Sequence, residues 1–124
     1  MPLHPRTRLR LEEMAYDTAS SPICFTDPVG YLEMLFLLNH CRLVLTDSGG
    51  VQKEAYFSKK YCITLREETE WVELLRRGYN RIVGHDPVKI LGAVKELLEV
   101  QPDFGDDLYG DGHAARTIVQ RLLS

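Results

Sequence analysis

The sequence predicts an α/β fold with a parallel sheet, on two observations. Short apolar segments alternate along the chain with longer amphipathic ones, as strands alternate with helices in parallel α/β domains. The most distinct apolar segment, Leu43 to Thr46, is rich in β-formers and ends abruptly in Asp47-Ser48-Gly49-Gly50. Such a segment is typical of a buried parallel strand that turns directly into a helix. These features predict a three-layer, parallel-sheet domain of Rossmann type.

Composition limits the classes of protein to consider. At 124 residues and 44% hydrophobic, the chain has the size of a single domain that buries a real core. A net charge of −3 provides no basic surface, so we expect no nucleic-acid partner. Cys24, Cys41 and Cys62 are scattered and form no C-x-x-C pair, which favours reduced thiols in the cytoplasm over a disulfide scaffold or a metal site. Without a long apolar run or the apolar core of a signal peptide, we expect no membrane association.

The amino-terminal part of the chain is predicted to contain two helices and a short strand. Met1 to Thr7 has the pattern of a strand end and the loop after it, and Arg8 to Asp17 that of a short surface helix. Ile23 to Phe25 is a short apolar strand candidate, and Tyr31 to His40 is the next helix. The predicted buried side of that helix comprises Leu32, Leu35, Phe36 and Leu38.

Capping signals and apolar spacing define the elements after the Leu43 strand. Gly78 is typical of the residue that follows a helix, while Asp86 and Pro87 are typical of an N-cap and a first helical position. The predicted elements are a helix from Val51 to Phe57, a strand from Tyr61 to Leu65, a helix from Glu70 to Arg77, a strand from Asn80 to Val83, and helices from Val88 to Val100 and from His113 to Leu123.

The turn after the Leu43 strand has the chemistry of an anion site. The first N–H groups of a helix lack internal acceptors, and the helix dipole adds partial positive charge at that end. A phosphate there can accept hydrogen bonds from Ser48 and from the amides of Gly49 and Gly50. Glu54, one turn later, can accept from vicinal hydroxyls such as those of a ribose. The alternative is an ordinary N-cap, a turn and a solvated glutamate, which D-S-G-G alone would favour.

A second loop is expected at the same edge of the sheet. Arg66 to Glu70 follows the strand that starts at Tyr61, and the carboxyl ends of adjacent parallel strands share one edge. Arg66 can therefore bind a phosphate through charge-assisted hydrogen bonds. A salt bridge from Arg66 to one of the acidic residues of its own loop is an equally good interpretation.

Several strings of residues resemble one family. T-D-S-G-G-V-Q-K-E-A, L-R-E-E-T-E and Y-G-D-G-H-A are similar to T-D-S-G-G-x-Q-E-E-A, L-R-D-x-T-E and Y-G-D-G of the non-hydrolysing UDP-N-acetylglucosamine 2-epimerases. H-P-R-T, starting at His4, and P-V-G-Y-L, starting at Pro28, resemble that family's H-P-R-T and P-x-G-Y-L. The resemblance extends over nearly the whole chain, with its motifs in the family's order.

The resemblance implies a fold and an activity. The fold is the carboxyl-terminal half of a two-domain glycosyltransferase-B-like (UDP-glycosyltransferase/glycogen phosphorylase) architecture, so that residues 1–124 form a single truncated UDP-binding domain without its amino-terminal domain. The implied enzyme is an isomerase that interconverts UDP-GlcNAc and UDP-ManNAc, or a related N-acetylated UDP-sugar, by eliminating UDP and adding it back. It needs no cofactor and no metal. We expect the chain to be inactive alone and to require the missing domain or a separate chain that supplies it.

The resemblance also implies roles for individual residues. His4 matches a histidine that reaches the substrate cleft and is the catalytic candidate, whereas the candidates for binding UDP or a UDP-sugar are Ser48, Gly49, Gly50, Glu54 and Arg66. Trp71 differs from the family, since many members have T-E-R-P-E where this chain has T-E-W-V-E. This variant resembles the branch that acts on N-acetylated or uronic-acid UDP-sugars of surface polysaccharides, and the alternative is a tryptophan simply buried against Leu74 and Leu75.

Other classes of function remain open at this stage. The donor-binding half of a UDP-sugar glycosyltransferase or of a hydrolysing epimerase would share the fold and the nucleotide. A non-catalytic module that binds UDP-sugars, or a degenerate remnant, would share the motifs without the chemistry. A domain that lacks its partner exposes an apolar face, so we also expect self-association into a homo-oligomer.

Overall fold

The fold consists of two units, Met1–His40 and Cys41–Ser124. This computed structural model describes residues 1–105 and 107–124. The α/β class and the parallel sheet predicted from the sequence are confirmed, and the sheet belongs to the second unit.

The first unit contains helices α1 (Pro5–Glu13) and α2 (Tyr31–His40). α1 starts earlier than the predicted Arg8, because Pro5 takes the first helical position and His4 is the N-cap. The Nδ1 atom of His4 accepts a hydrogen bond from the backbone N–H of Arg6 at 3.2 Å. The fixed φ of proline suits this position, so the predicted loop is wrong for residues 5–7, which are helical.

The strand predicted at Ile23 to Phe25 is wrong. A single β-bridge pairs Pro2 with Thr26, where Leu3 donates its N–H to the carbonyl of Thr26 at 3.0 Å. One bridge satisfies only local backbone groups and does not extend into a ladder.

α2 has the predicted bounds, but its predicted buried side is only partly correct. Leu38 is buried, whereas Leu32 and Phe36 are 77% and 62% exposed. The apolar spacing correctly predicted a helix, but it did not determine which of its apolar side chains would be buried.

The second unit contains strands β1 (Val44–Thr46), β2 (Cys62–Thr64) and β3 (Asn80–Ile82), in the order β1-β2-β3 and all parallel. Helix α3 (Gly49–Phe57) connects β1 to β2, and helix α4 (Val72–Arg76) connects β2 to β3. The register places the ends of the three strands at one edge, so the loops that follow them emerge side by side.

Two further helices, α5 (Pro87–Glu99) and α6 (Ala114–Leu123), complete this unit. The predicted start of α5 is confirmed, because Asp86 Oδ1 accepts hydrogen bonds from the N–H groups of Val88 at 2.8 Å and Lys89 at 3.3 Å. The exposed apolar side chains of α6 are Ile118, Val119, Leu122 and Leu123. None of the helices among the described residues combines the length and the apolar character that crossing a membrane requires.

The core of the second unit is rich in aromatic side chains. Its buried cluster comprises Tyr56, Tyr61, Ile63, Leu74, Tyr79, Val83, Ala93 and Leu97. The rings of Tyr79 and Phe104 stack at 4.6 Å between centroids, and Tyr56 lies 5.3 Å from Tyr79. Each large apolar side chain buried this way contributes about 1.5–3 kcal/mol, so the cluster holds the helices against the sheet.

Burial of Cys62 predicts a slow reaction with alkylating reagents. Its thiol, 1% exposed in β2, has its pKa raised to about 12 by burial. Because the thiolate is the reactive species, iodoacetamide at pH 8 should modify the exposed Cys24 well before Cys62 in the folded protein. Mass spectrometry of timed samples measures both rates, and labelling in urea is the control, where the two thiols should react alike. Equal rates in the folded protein would contradict this burial.

Candidate functional site

The predicted anion site begins at the end of β1. Ser48 is the N-cap of α3, with extended backbone angles, and its Oγ accepts from the N–H of Val51 at 3.5 Å. The N–H of Ser48 donates to Thr46 Oγ1 at 3.0 Å, which fixes the turn. α3 begins at Gly49, two residues before the predicted start at Val51, so both glycines lie within its first turn. Their amides belong to the group that has no intrahelical acceptor.

The two glycines face different surroundings. A Cβ atom at Gly49 would lie 3.2 Å from Glu70 Oε2, a tight approach to the loop that follows β2. At Gly50 the nearest atom would be Ser48 Oγ at 3.9 Å, an ordinary contact. A side chain at position 49 would therefore push the Glu70 carboxylate by a few tenths of an ångström, whereas one at position 50 would meet only an ordinary contact.

Arg66 and Glu70 form an ion pair beside this helix start. Arg66 Nη1 lies 3.2 Å from Glu70 Oε1, which confirms the interpretation of Arg66 as a partner of an acidic residue in its own loop. The pKa of Glu70 is lowered, first by its own backbone N–H and then by the hydrogen bond from Arg66. Because Glu70 also approaches Gly49, the loop and the helix start share one edge, as the parallel strand order requires.

Trp71 connects the same loop to α3. Its indole Nε1 donates to the carbonyl oxygen of Gly49 at 2.7 Å, and its backbone N–H donates to Thr69 Oγ1 at 3.2 Å. The side chain is partly buried and packs against the aromatic core that includes Leu74. The packing interpretation is correct for Leu74 only in part, since Trp71 is not fully buried and Leu75 does not belong to that cluster, and the hydrogen bond to Gly49 adds a contact that the sequence did not reveal.

A buried polar network beneath the site was missed by the sequence analysis. Gln52 of α3 is fully buried, and its Oε1 accepts from Thr69 Oγ1 at 2.5 Å and from Asn80 Nδ2 at 2.8 Å. Asn80 Oδ1 in turn accepts from Thr64 Oγ1 at 2.7 Å. The only available signal was a glutamine among the apolar positions of a short helix. The network joins α3, β2, β3 and the loop after β2.

The remaining candidate residues occupy separate places in the chain. Glu54 lies one turn after Gly50 on α3 and is partly exposed. His4 belongs to the first unit, where its exposed ring caps α1. The roles of Glu54 and His4 toward a ligand stay predictions. Among residues 1–105 and 107–124, histidine, cysteine and acidic side chains form no group suited to hold a metal ion.

Comparison with known proteins identifies close relatives. The sequence profile described as UDP-N-acetylglucosamine 2-epimerase matches residues 1–123. A UDP-2,3-diacetamido-2,3-dideoxy-D-glucuronate 2-epimerase from Pseudomonas aeruginosa is 46% identical over 122 residues, which are 98% of this chain and 34% of that protein. A UDP-N-acetylglucosamine 2-epimerase from Methanocaldococcus jannaschii is 42% identical, over 97% of this chain and 33% of that protein.

A solved structure is similar to this chain in both fold and sequence. The crystal structure of the Methanocaldococcus jannaschii UDP-GlcNAc 2-epimerase in complex with UDP-GlcNAc and UDP has a TM-score of 0.87 to this chain at 39% identity. The match covers 98% of this chain and 34% of that one. The chain therefore spans about a third of the length of the relatives it matches.

Replacing Gln52 by leucine should lower stability markedly. The variant removes the acceptor shared by the partly buried Thr69 and the buried Asn80, at roughly 1 to 3 kcal/mol of unfolding free energy. It also removes Gln52 Nε2, which is buried without a hydrogen-bond partner among the described residues, and this offsets part of the cost. Urea denaturation followed by circular dichroism measures the change. Gln120→Leu on the exposed side of α6 is the matched control, expected within about 0.5 kcal/mol of wild type. Equal stability of the two variants would show that the network contributes nothing.

Arg66→Gln should raise the pKa of Glu70 without fully restoring its usual value. The substitution removes a hydrogen bond and a charge that favour the ionised carboxylate, while the backbone N–H of Glu70 remains. Since a lowered pKa contributes stability that disappears as pH falls through it, the stability difference between wild type and variant should be largest near neutral pH and shrink on acidification.

Carboxyl carbon shifts followed by NMR across acidic pH measure this pKa. Glu96, whose pKa is lowered chiefly by its hydrogen bond from Arg81, is the internal control and should titrate identically in both proteins. An unchanged Glu70 titration would mean that the ion pair does not persist in solution.

Proposed function

Because the chain belongs to the UDP-N-acetylglucosamine 2-epimerase family, we propose that its second unit binds the UDP part of a UDP-sugar for C2 epimerisation. The observation that supports this most is the open helix start at Ser48, Gly49 and Gly50, at the carboxyl edge of a parallel sheet. This arrangement resembles that of many nucleotide sites, and the similar solved epimerase was crystallised with UDP-GlcNAc and UDP.

The proposed contacts follow from the donors and acceptors around the helix start. Amides of Gly49 and Gly50 and the Ser48 hydroxyl donate to phosphate oxygens, which the helix dipole also favours. Arg66 binds Glu70 through Nη1, and its guanidinium carries further N–H donors for a phosphate. Glu54 accepts hydrogen bonds from the ribose hydroxyls.

The proposed reaction uses this site to hold the leaving group. A base removes the C2 proton of the sugar, the bond from C1 to the UDP oxygen breaks with its electron pair on UDP, and a C1–C2 double bond forms. Return of UDP to C1 and of a proton to the opposite face of C2 gives the epimer. Donors that bind the departing diphosphate more strongly than the intact sugar nucleotide lower the barrier to elimination.

Some groups needed for this chemistry lie outside the described site. We propose that the proton-transferring carboxylates come from a domain that these 124 residues do not contain, or from a separate chain that replaces it. His4 stays the catalytic candidate that the family resemblance implies. The chain alone is then inactive. The reported relatives are named 2-epimerases, which favours this function over a glycosyltransferase half.

Calorimetric titration with UDP, UMP and uridine tests the nucleotide site. A few charge-assisted hydrogen bonds should give roughly 4 to 6 kcal/mol, a dissociation constant between about 1 mM and tens of micromolar, with UDP bound most tightly. Ser48→Ala should weaken UDP binding about fivefold or more because a phosphate contact and a helix cap are lost.

The matched control is Ser58→Ala, which changes the same residue type at the opposite end of α3 and should leave binding intact. Glu54→Ala should weaken uridine and UDP alike, since its proposed partner is the ribose. A folded protein that binds none of the three ligands would refute the proposal.

A further inference from the structure

A lysine lies between two aromatic rings next to the first turn of α3. Lys53 Nζ is 4.4 Å from the ring centroid of Trp71 and 4.2 Å from that of Tyr109. The two rings meet edge to face, 6.1 Å apart. Both distances from the ammonium are within the range of a cation–π interaction. A side chain that is usually mobile is thereby held in one place.

The position of this cation is tied to the anion site. The indole that Lys53 contacts also donates its N–H to the carbonyl of Gly49 at 2.7 Å. Lys53 comes four residues after Gly49 and therefore lies on the same face of α3, and helical side chains lean toward the amino end of the helix. The shared contact with Trp71 therefore places the ammonium beside the first turn of α3.

The charges around the helix start explain what the lysine contributes. Arg66 is matched by Glu70, and Glu73 adds a second carboxylate whose pKa is lowered by its own backbone N–H, by Tyr109 and by the charge of Lys53. The charge of Arg76 acts on Glu73 in the same direction, so Lys53 is one of two cations near that carboxylate. Of these two cations, Lys53 is the one in contact with the ring of Trp71 beside the first turn of α3.

Two differences from the family motifs meet at this contact. The usual T-D-S-G-G-x-Q-E-E-A and T-E-R-P-E place glutamate and arginine where this chain has Lys53 and Trp71. The structure brings these two side chains into contact.

Building on the nucleotide site proposed above, we propose that Lys53 is a determinant of diphosphate recognition and that Trp71 and Tyr109 position its charge. The lysine supplies a positive charge beside the helix start. Its partners restrict it to the helix start, so it acts on the phosphates and not on the uridine.

Lys53→Met tests the inference because methionine keeps an unbranched side chain and removes the charge. Titrations with UDP and with uridine are made at low and high ionic strength. At low salt we expect the dissociation constant for UDP to rise roughly fivefold to tenfold, as for loss of about one favourable charge interaction, while that for uridine stays unchanged. The salt dependence of UDP binding should also become weaker, since screening acts on the lost interaction.

Lys95→Met is the matched control, because it changes the net charge equally at an exposed position of α5 and should leave UDP binding unaltered. Trp71→Arg introduced into Lys53→Met should recover most of the UDP affinity, a rescue that a purely structural lysine would not show. Thermal melts of each variant establish that it is folded.

The outcomes separate this inference from the function on which it rests. If wild type and Lys53→Met bind UDP equally well, the proposed role of Lys53 is overturned and the nucleotide site stands. Equal weakening of UDP and uridine binding also overturns it, because only a structural effect would lower both. Wild type that binds no UDP removes both proposals together.

Discussion

One acceptor oxygen holds the candidate site together. Oε1 of the fully buried Gln52 receives hydrogen bonds from Thr69 and from Asn80, so a single side chain fixes α3 to β3 and to the loop after β2. Hydrogen bonds in such a dry environment are strong, and each donor would be costly to leave unpaired. The hydrogen bond from Thr69 to Gln52, beneath the site, thus helps to hold the loop that carries Arg66 and Trp71 beside the helix start.

The electrostatics of the helix start are a balance among few charges. Helix amides and the dipole favour an anion there, each by a modest amount, while the exposed pair of Arg66 and Glu70 contributes little net charge. The ring faces of Trp71 and Tyr109 lie on Lys53 and shield its ammonium partly from water.

The chain spans about a third of the length of the relatives it matches. Apolar residues of α2 and α6 are widely exposed, with Leu32 at 77% and Leu123 at 83%. In an isolated chain such surfaces favour association, so the homo-oligomer expected from the sequence stays a prediction. In the proposed function, these 124 residues bind the UDP leaving group, and carboxylates outside them carry out most of the proton transfer.

Local patterns determined much of the architecture from the sequence alone. The strand segments, the bounds of α2, the Asp86 cap of α5 and the turn at Ser48 follow from residue patterns within each segment, and the alternation of strands with helices indicates that the strands pair in parallel. Only the tertiary structure decided that Gln52 would be a buried junction and that Lys53 would lie over Trp71. Gln52 contacts Thr69 and Asn80, which lie 17 and 28 positions further along the chain, and Lys53 likewise contacts a residue of a separate loop. Local periodicity contains no information on such distant partners. Whether a polar side chain is solvated or becomes the centre of a network depends on which chain segments fold around it.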